Sequence, residues 1–224
     1  MSYAEVDPEI VAKLFEIKKN QLKMVDRRGY NIDRERSLLQ LTLPQFANSY
    51  VKFAREKNTT FRSILTNVYE NSVGKRILVY YADVPASSTQ LGVEGVGDAI
   101  VQMTKYQLHD AIIITAKQLS PPAVKHINGL VAYNIQIFLE EEMAYDPTEH
   151  FLVPKHIPLS SDEQRLFLQK NGLTIDQLPI IRTDDTIIKY FGLRAGRIVK
   201  IERENMYETM ILKSVCYKAV KEEN

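Results

Sequence analysis

The stretch EHFLVPKHIPLSSDEQ, residues 149–164, separates two kinds of protein. Two histidines six apart, a lysine between them and acids beyond could form a metal or catalytic cluster. The same residues could instead mark the place where a strand hands over to a capped helix. His150 and His156 could share one side of a strand only if it ran unbroken across Pro154, and the helical ligand spacing H-x-x-x-H is absent. Leu152 and Val153 predict a short strand ended by Pro154. Ser160 with Glu163, or Ser161 with Gln164, satisfies a capping box, and the acids suit the positive end of a helix dipole. The strand-to-helix reading accounts for nearly every residue, and no metal role is assigned.

Downstream of this seam the pattern continues in short elements. Asn171-Gly172 stops the helix, and Thr174 with Gln177 repeats the box. Asp184 or Asp185 opens another turn, with Ile187, Ile188 and Phe191 inward and Gly192 at its end. RIVKIER (197–203) and MILKSVCYKAV (210–220) predict a hairpin. Residues 150–224 are therefore expected to form a small α+β module.

Upstream the periods differ. Asp7-Pro8 starts a helix reaching about Gly29, and a second helix opens at Thr42 and Pro44 with Phe46, Tyr50 and Phe53 on one face. RILVYYADV (76–84), AIIITA (111–116) and YNIQIFLEE (133–141) read as buried strands. A helical pattern around Ile100 and Met103 separates the first two; SPPAVKHINGL (120–130) is expected as a loop between the last two. This order predicts an α/β layer over residues 1–145, with the polar YDPTEH (145–150) as the seam.

Composition restricts the chemistry. The 224 residues are 45% hydrophobic and 25% charged, with 29 Lys and Arg against 28 Asp and Glu. A formal charge of +1 lacks the excess needed to grip nucleic acid through many phosphates. Cys216, the single cysteine, excludes an intramolecular disulfide and a multi-cysteine zinc site, and suits a reducing compartment. No stretch reaches the roughly 18 to 20 apolar residues that span a bilayer, so an intracellular protein without membrane contact is expected.

Catalytic constellations find little support. Gly92, Gly95 and Gly97 run G-x-x-G-x-G with no P-loop lysine and serine, and read as a flexible turn. His109-Asp110 has no serine elbow to serve. A metal-dependent nuclease is the more serious alternative: such α/β layers set an acid on one strand and an acid-x-lysine on the next. Asp83 and Lys117 stand near those places, yet Thr115 replaces the second carboxylate. A platform is therefore expected, without cofactor, catalytic residue or small-molecule substrate.

The segments HFLVPKHIPLSSDEQ, QLPII (177–181) and FGLRAGRIVKIER (191–203) together resemble the fifth common subunit of eukaryotic nuclear RNA polymerases, a family with a shorter archaeal counterpart. KMVDRRGY (23–30) and LSPPAVKHI (119–127) extend the likeness upstream, where they are similar to the family's K-x-x-x-D-R-G-Y and T-P-S-A-x-K segments. The resemblance implies a non-catalytic subunit of DNA-directed RNA polymerase. Its N-terminal module, similar to nuclease folds, would form a lower jaw beside downstream double-stranded DNA, with Ser120, Pro121, Pro122 and Lys125 on a DNA-facing loop. Its C-terminal module would assemble on the largest polymerase subunit through Pro154, Lys155, His156, Gln177, Leu178, Pro179, Asp185, Gly192, Gly196, Lys200, Arg203, Tyr217 and Lys218. Three departures stand out: Thr186 follows Asp185 where the family has proline, the last hairpin is about three residues longer, and Tyr217-Lys218 replaces a terminal Tyr-Arg. The nucleus is the expected location, or a virion or cytoplasmic factory if the source is a large DNA virus.

Overall fold

A computed structural model describes residues 7–207 and 210–222 of the chain. The chain divides into two compact units, Met1–Tyr145 and Asp146–Asn224.

In the first unit, helix α1 (Pro8–Arg27) starts at Asp7, whose carboxylate accepts the Glu9 N–H at 2.9 Å. Helix α2 (Leu43–Lys57) carries the Thr42/Gln45 capping box, and a short α3 (Phe61–Leu65) is capped by Thr60. On α2, Phe46 is buried and stacks with half-buried Tyr50, while Phe53 is 45% exposed, so only part of the expected aromatic face is covered. Strands β1 (Asn67–Glu70), β2 (Arg76–Ala82), β3 (Asp110–Thr115) and β4 (Asn134–Leu139) form one sheet in chain order. The β1–β2 pair is antiparallel; β2, β3 and β4 run parallel in register, Ala82 beside Thr115 beside Leu139.

Helices α4 (Val93–Lys105) and α5 (Pro121–Gly129) contribute to the cluster of Ala82, Val96, Ala99, Ile113 and Ala123 on one sheet face. On the other, α1 reaches the sheet through Gln21, which accepts from the Tyr69 and Tyr81 hydroxyls. Two expectations are corrected here. The segment from Pro121 is a helix and not a loop, because Ser120 caps it and neither proline removes an N–H that the first turn needs. The glycines at 92, 95 and 97 cap and enter α4 instead of forming a turn: a Cβ at Gly95 would lie 2.4 Å from the Leu91 side chain, so glycine allows close packing there.

In the second unit, β5 (Lys155–Pro158), β6 (Ile180–Arg182), β7 (Ile198–Tyr207) and β8 (Met210–Lys221) form a sheet of order β5-β7-β8-β6. The expected strand at Leu152-Val153 is absent: Leu152 is 72% exposed in a turn, and pairing begins after Pro154, at Lys155. Proline there ends nothing; it precedes the strand, where its missing N–H breaks no ladder. Helix α6 (Ser161–Asn171) uses Ser160 and Glu163 as its box. Helix α7 (Thr186–Phe191) is capped by Asp185, whose carboxylate accepts from Ile187 and Ile188, and ends at Gly192 in the left-handed region, φ +65°. Apolar clusters lie on both sheet faces: Ile188 packs with Val199, Ile201 and Val220, while Phe167 and Leu168 pack against Ile198 and Ala219.

Candidate platform and assembly surfaces

The carboxyl ends of parallel strands are where α/β sheets usually place their chemistry. Here those ends carry two groups, Asp83 with Glu140 and Thr115 with Lys117. Glu140 follows β4 directly, its N–H donating to the Thr115 carbonyl at 2.9 Å, and is 2% exposed. Its carboxylate is already occupied. Arg62 donates from Nε at 3.1 Å and Nη2 at 2.7 Å to Oε1, and Lys13 Nζ lies 3.1 Å from Oε2. Asp83 accepts from the Thr60 hydroxyl and stands 4.0 Å from Arg62 Nη1.

Thr115 is fully buried, and its hydroxyl donates to the Lys117 carbonyl at 3.0 Å. Lys117 Nζ donates to the carbonyls of Pro85, Ala86 and Ser88, which fastens the 85–88 segment. Protein cations thus sit where a nuclease would bind an ion. Among the described residues, no three or more His, Cys, Asp or Glu side chains are grouped to hold a metal. His109 and Asp110 do not act together either: Asp110 pairs with Lys75 at 3.1 Å and Asn134 at 2.7 Å, while the His109 ring lies beside Tyr133. Arg62, Lys13 and Glu140 are not marked by any motif; the one signal in the sequence is an acid placed directly after an apolar run.

At the same end of the sheet, Ser120 donates its N–H to the Leu91 carbonyl at 3.0 Å and accepts from Ala123 N–H on Oγ at 3.4 Å. Ala123 is buried, which leaves Pro121, Pro122 and Lys125 exposed on the first turns of α5. The four expected DNA-facing residues are therefore gathered, on a helix.

The expected assembly residues fall into two sets. Most are internal. Leu178 is in the core, Gln177 accepts the Thr174 N–H at 2.8 Å, and the Pro179 carbonyl accepts from Ala219 at 2.9 Å. Gly196, φ +84°, donates to the Val220 carbonyl, Tyr217 stacks on Phe167 with ring centroids 4.0 Å apart, and Lys155 and Lys200 both pair with Glu202.

The second set is His156, Arg203 and Lys218, beside Asp185. His156 opposes Ile201 and Lys218 opposes Val199, while Arg203 is two residues beyond Ile201 on β7. Strand alternation places all three on the sheet face of Ile201. Burial holds the His156 ring below its ordinary pKa; its contact with the Pro154 carbonyl and the charge of Asp185 oppose this, and Arg203 and Lys218 add to it.

A first unit whose strand-end charges satisfy one another, and a second in which Arg203 and Lys218 meet no acid among the described residues, have the character of a scaffold. Sequence comparison gives the family. The RNA polymerase Rpb5 N-terminal domain profile matches residues 8–103, and the Rpb5 C-terminal domain profile matches residues 145–220. DNA-directed RNA polymerases I, II, and III subunit RPABC1 of Caenorhabditis briggsae is 32% identical over 200 residues, covering 85% of this chain and 89% of the relative. The protein of the same name from Caenorhabditis elegans is also 32% identical over the same coverage. DNA-directed RNA polymerase subunit 5-like protein 1 of Arabidopsis thaliana is 28% identical over 206 residues, covering 90% of this chain and 93% of the relative. The chain belongs to the RNA polymerase Rpb5 family.

Proposed function

We propose that this chain, a non-catalytic subunit of DNA-directed RNA polymerase, assembles on the largest subunit through residues 150–220 and lies as a lower jaw beside downstream duplex. Family membership carries the subunit role and makes other polymerase subunits its partners. The nuclease alternative loses its footing on one observation: Glu140, the buried acid at the strand ends, is neutralised by Arg62 and Lys13 instead of standing free for an ion.

The exposed first turns of α5 support the DNA-facing assignment of Ser120, Pro121, Pro122 and Lys125. A chain of formal charge +1 needs no strong affinity of its own there, because tethering to a partner raises its effective concentration. Relatives described as subunits of polymerases I, II and III point to the nucleus; a viral member would work in a cytoplasmic factory or virion. Affinity purification of tagged chain should recover the two large polymerase subunits. Recovery of unrelated proteins alone would refute the reading. Lys125→Glu should then weaken crosslinking to downstream DNA without loss of assembly.

A further inference from the structure

We propose that the sheet face bearing His156, Arg203 and Lys218 receives an extended acidic segment of a partner polypeptide. The inference rests on the assembly role of residues 150–220 and names the chemistry recognised there.

Charges on this sheet are segregated by face. On one side Glu202 pairs with Lys155 and Lys200, and Glu204 pairs with Lys213 at 2.8 Å. On the other, neither Arg203, which is exposed, nor Lys218, which is half-buried, is in an ion pair among the described residues. Asp185, the acid that acts on His156 from this side, is engaged in capping α7. Two cations without a described acid, on a sheet whose other face is paired, await an outside anion.

The histidine adds a direction. Its Nδ1 lies 2.6 Å from the Pro154 carbonyl, and a carbonyl only accepts, so Nδ1 carries the proton. Nε2 of the neutral ring is then an acceptor, and it has no partner among the described residues. Arg203 lies two residues beyond His156's partner Ile201, and Lys218 opposes Val199, two residues to the other side. The cations therefore flank the ring, separated by about four residues of strand, or about 13 Å. Val199 and Ile201, on β7 between them, are buried under Ile188 of α7, so an extended segment would lie over that cover, presenting a backbone N–H to Nε2 and carboxylates to either side.

A carboxylate fits better than a phosphate backbone. Residues 146–224 hold twelve acids and twelve bases, and polyphosphate binding needs a cation excess. Arg203 offers the planar fork that matches a carboxylate; Lys218, where relatives are expected to carry arginine, offers a single point charge.

The test uses native polymerase containing the full chain, treated with a carbodiimide that joins an amine to a carboxylate only in direct contact. Mass spectrometry should find Lys218 coupled to an Asp or Glu of another subunit. Arg203→Glu and Lys218→Glu should each reduce retention in the complex about tenfold, with Lys218→Arg retained at least as well as the parent. Unchanged thermal unfolding of Arg203→Glu and of the milder Lys218→Gln would separate this from misfolding. The inference is overturned if wild-type chain assembles but Lys218 couples to no partner carboxylate, if both reversals assemble as the parent does, or if this face crosslinks to DNA. Failure of the wild-type chain to assemble would overturn the assembly reading as well.

Discussion

Replacing Arg62 by alanine removes the main counter-charge of Glu140, and the structure sets the cost. Glu140 is 2% exposed, and one of its oxygens accepts two Arg62 N–H groups. Breaking a buried pair by deleting one partner costs about 3–5 kcal/mol. Lys13 still reaches the other oxygen, but its side chain is 44% exposed and is screened by solvent. The expected loss is therefore about 2–3 kcal/mol. Arg62→Lys keeps a charge without the two N–H groups that converge on Oε1 and should lose about 1 kcal/mol. Because the loss arises from the stranded carboxylate, Glu140→Gln in the Arg62→Ala background should restore about 1–2 kcal/mol. Urea unfolding of the full chain, with hydrogen exchange read at β3 and β4 amides, assigns the change to the first unit. A loss under about 0.5 kcal/mol, or no restoration by Glu140→Gln, would refute the account of Arg62 as the resident cation.

Lys18, fully buried, donates to Glu35 and the Leu65 carbonyl at 3.1 Å and to the Tyr69 hydroxyl at 2.9 Å. Lys18→Met should cost about 3 kcal/mol in urea unfolding, while Lys18→Met with Glu35→Leu should fall within about 1 kcal/mol of the parent, since burial itself lowers the Lys18 pKa and disfavours its charge. Thr115→Asp should destabilise the first unit by about 3 kcal/mol and yield no magnesium-dependent cleavage of plasmid DNA, because it buries an acid at a fully covered position. His156, held below 6.5 by burial, binds fewer protons folded than unfolded. Its contribution to stability is complete above 6.5 and is lost as pH falls toward the folded value, no more steeply than about 1.4 kcal/mol per unit; His156→Asn should flatten that slope in thermal unfolding.

What the sequence made legible follows from the length and independence of each element. Strands β2 and β3 are buried apolar runs, and β7 and β8 are long enough to pair with one another, so their pattern is local. The Ser160/Glu163 box and the Asp185 cap are likewise written within four residues. Strand β6 has three residues and β1 four; neither fills a period-two pattern, and both exist because a longer neighbour offers an edge. Helix α5 was obscured by its prolines and by having a single buried residue, Ala123. Leu152, expected in a short strand, is exposed in a turn, as single apolar surface residues often are. The Arg62–Glu140 pair joins positions 78 apart, and nothing local to either residue announces the other.

The two sheets handle charge in opposite ways, and that difference bears on why such a chain works as part of a larger assembly. At the carboxyl ends of the first sheet, cations from α1 and α3 meet the Glu140 carboxylate, and Lys117 is absorbed by three backbone carbonyls. These groups are spent on one another, which fits the proposed role of the start of α5 as a contact surface. On the second sheet, by contrast, one face satisfies its own ion pairs while Arg203 and Lys218 find no acid among the described residues of their unit. A solvated cation costs little, which is why the isolated unit tolerates them. Their value appears when a partner carboxylate desolvates them, where an unpaired charge would cost several kcal/mol and a paired one does not. Such a contact discriminates between partners more than it strengthens any one of them. Lys218→Arg, which adds a second prong at that point, should accordingly slow dissociation of the acidic partner more than it speeds association.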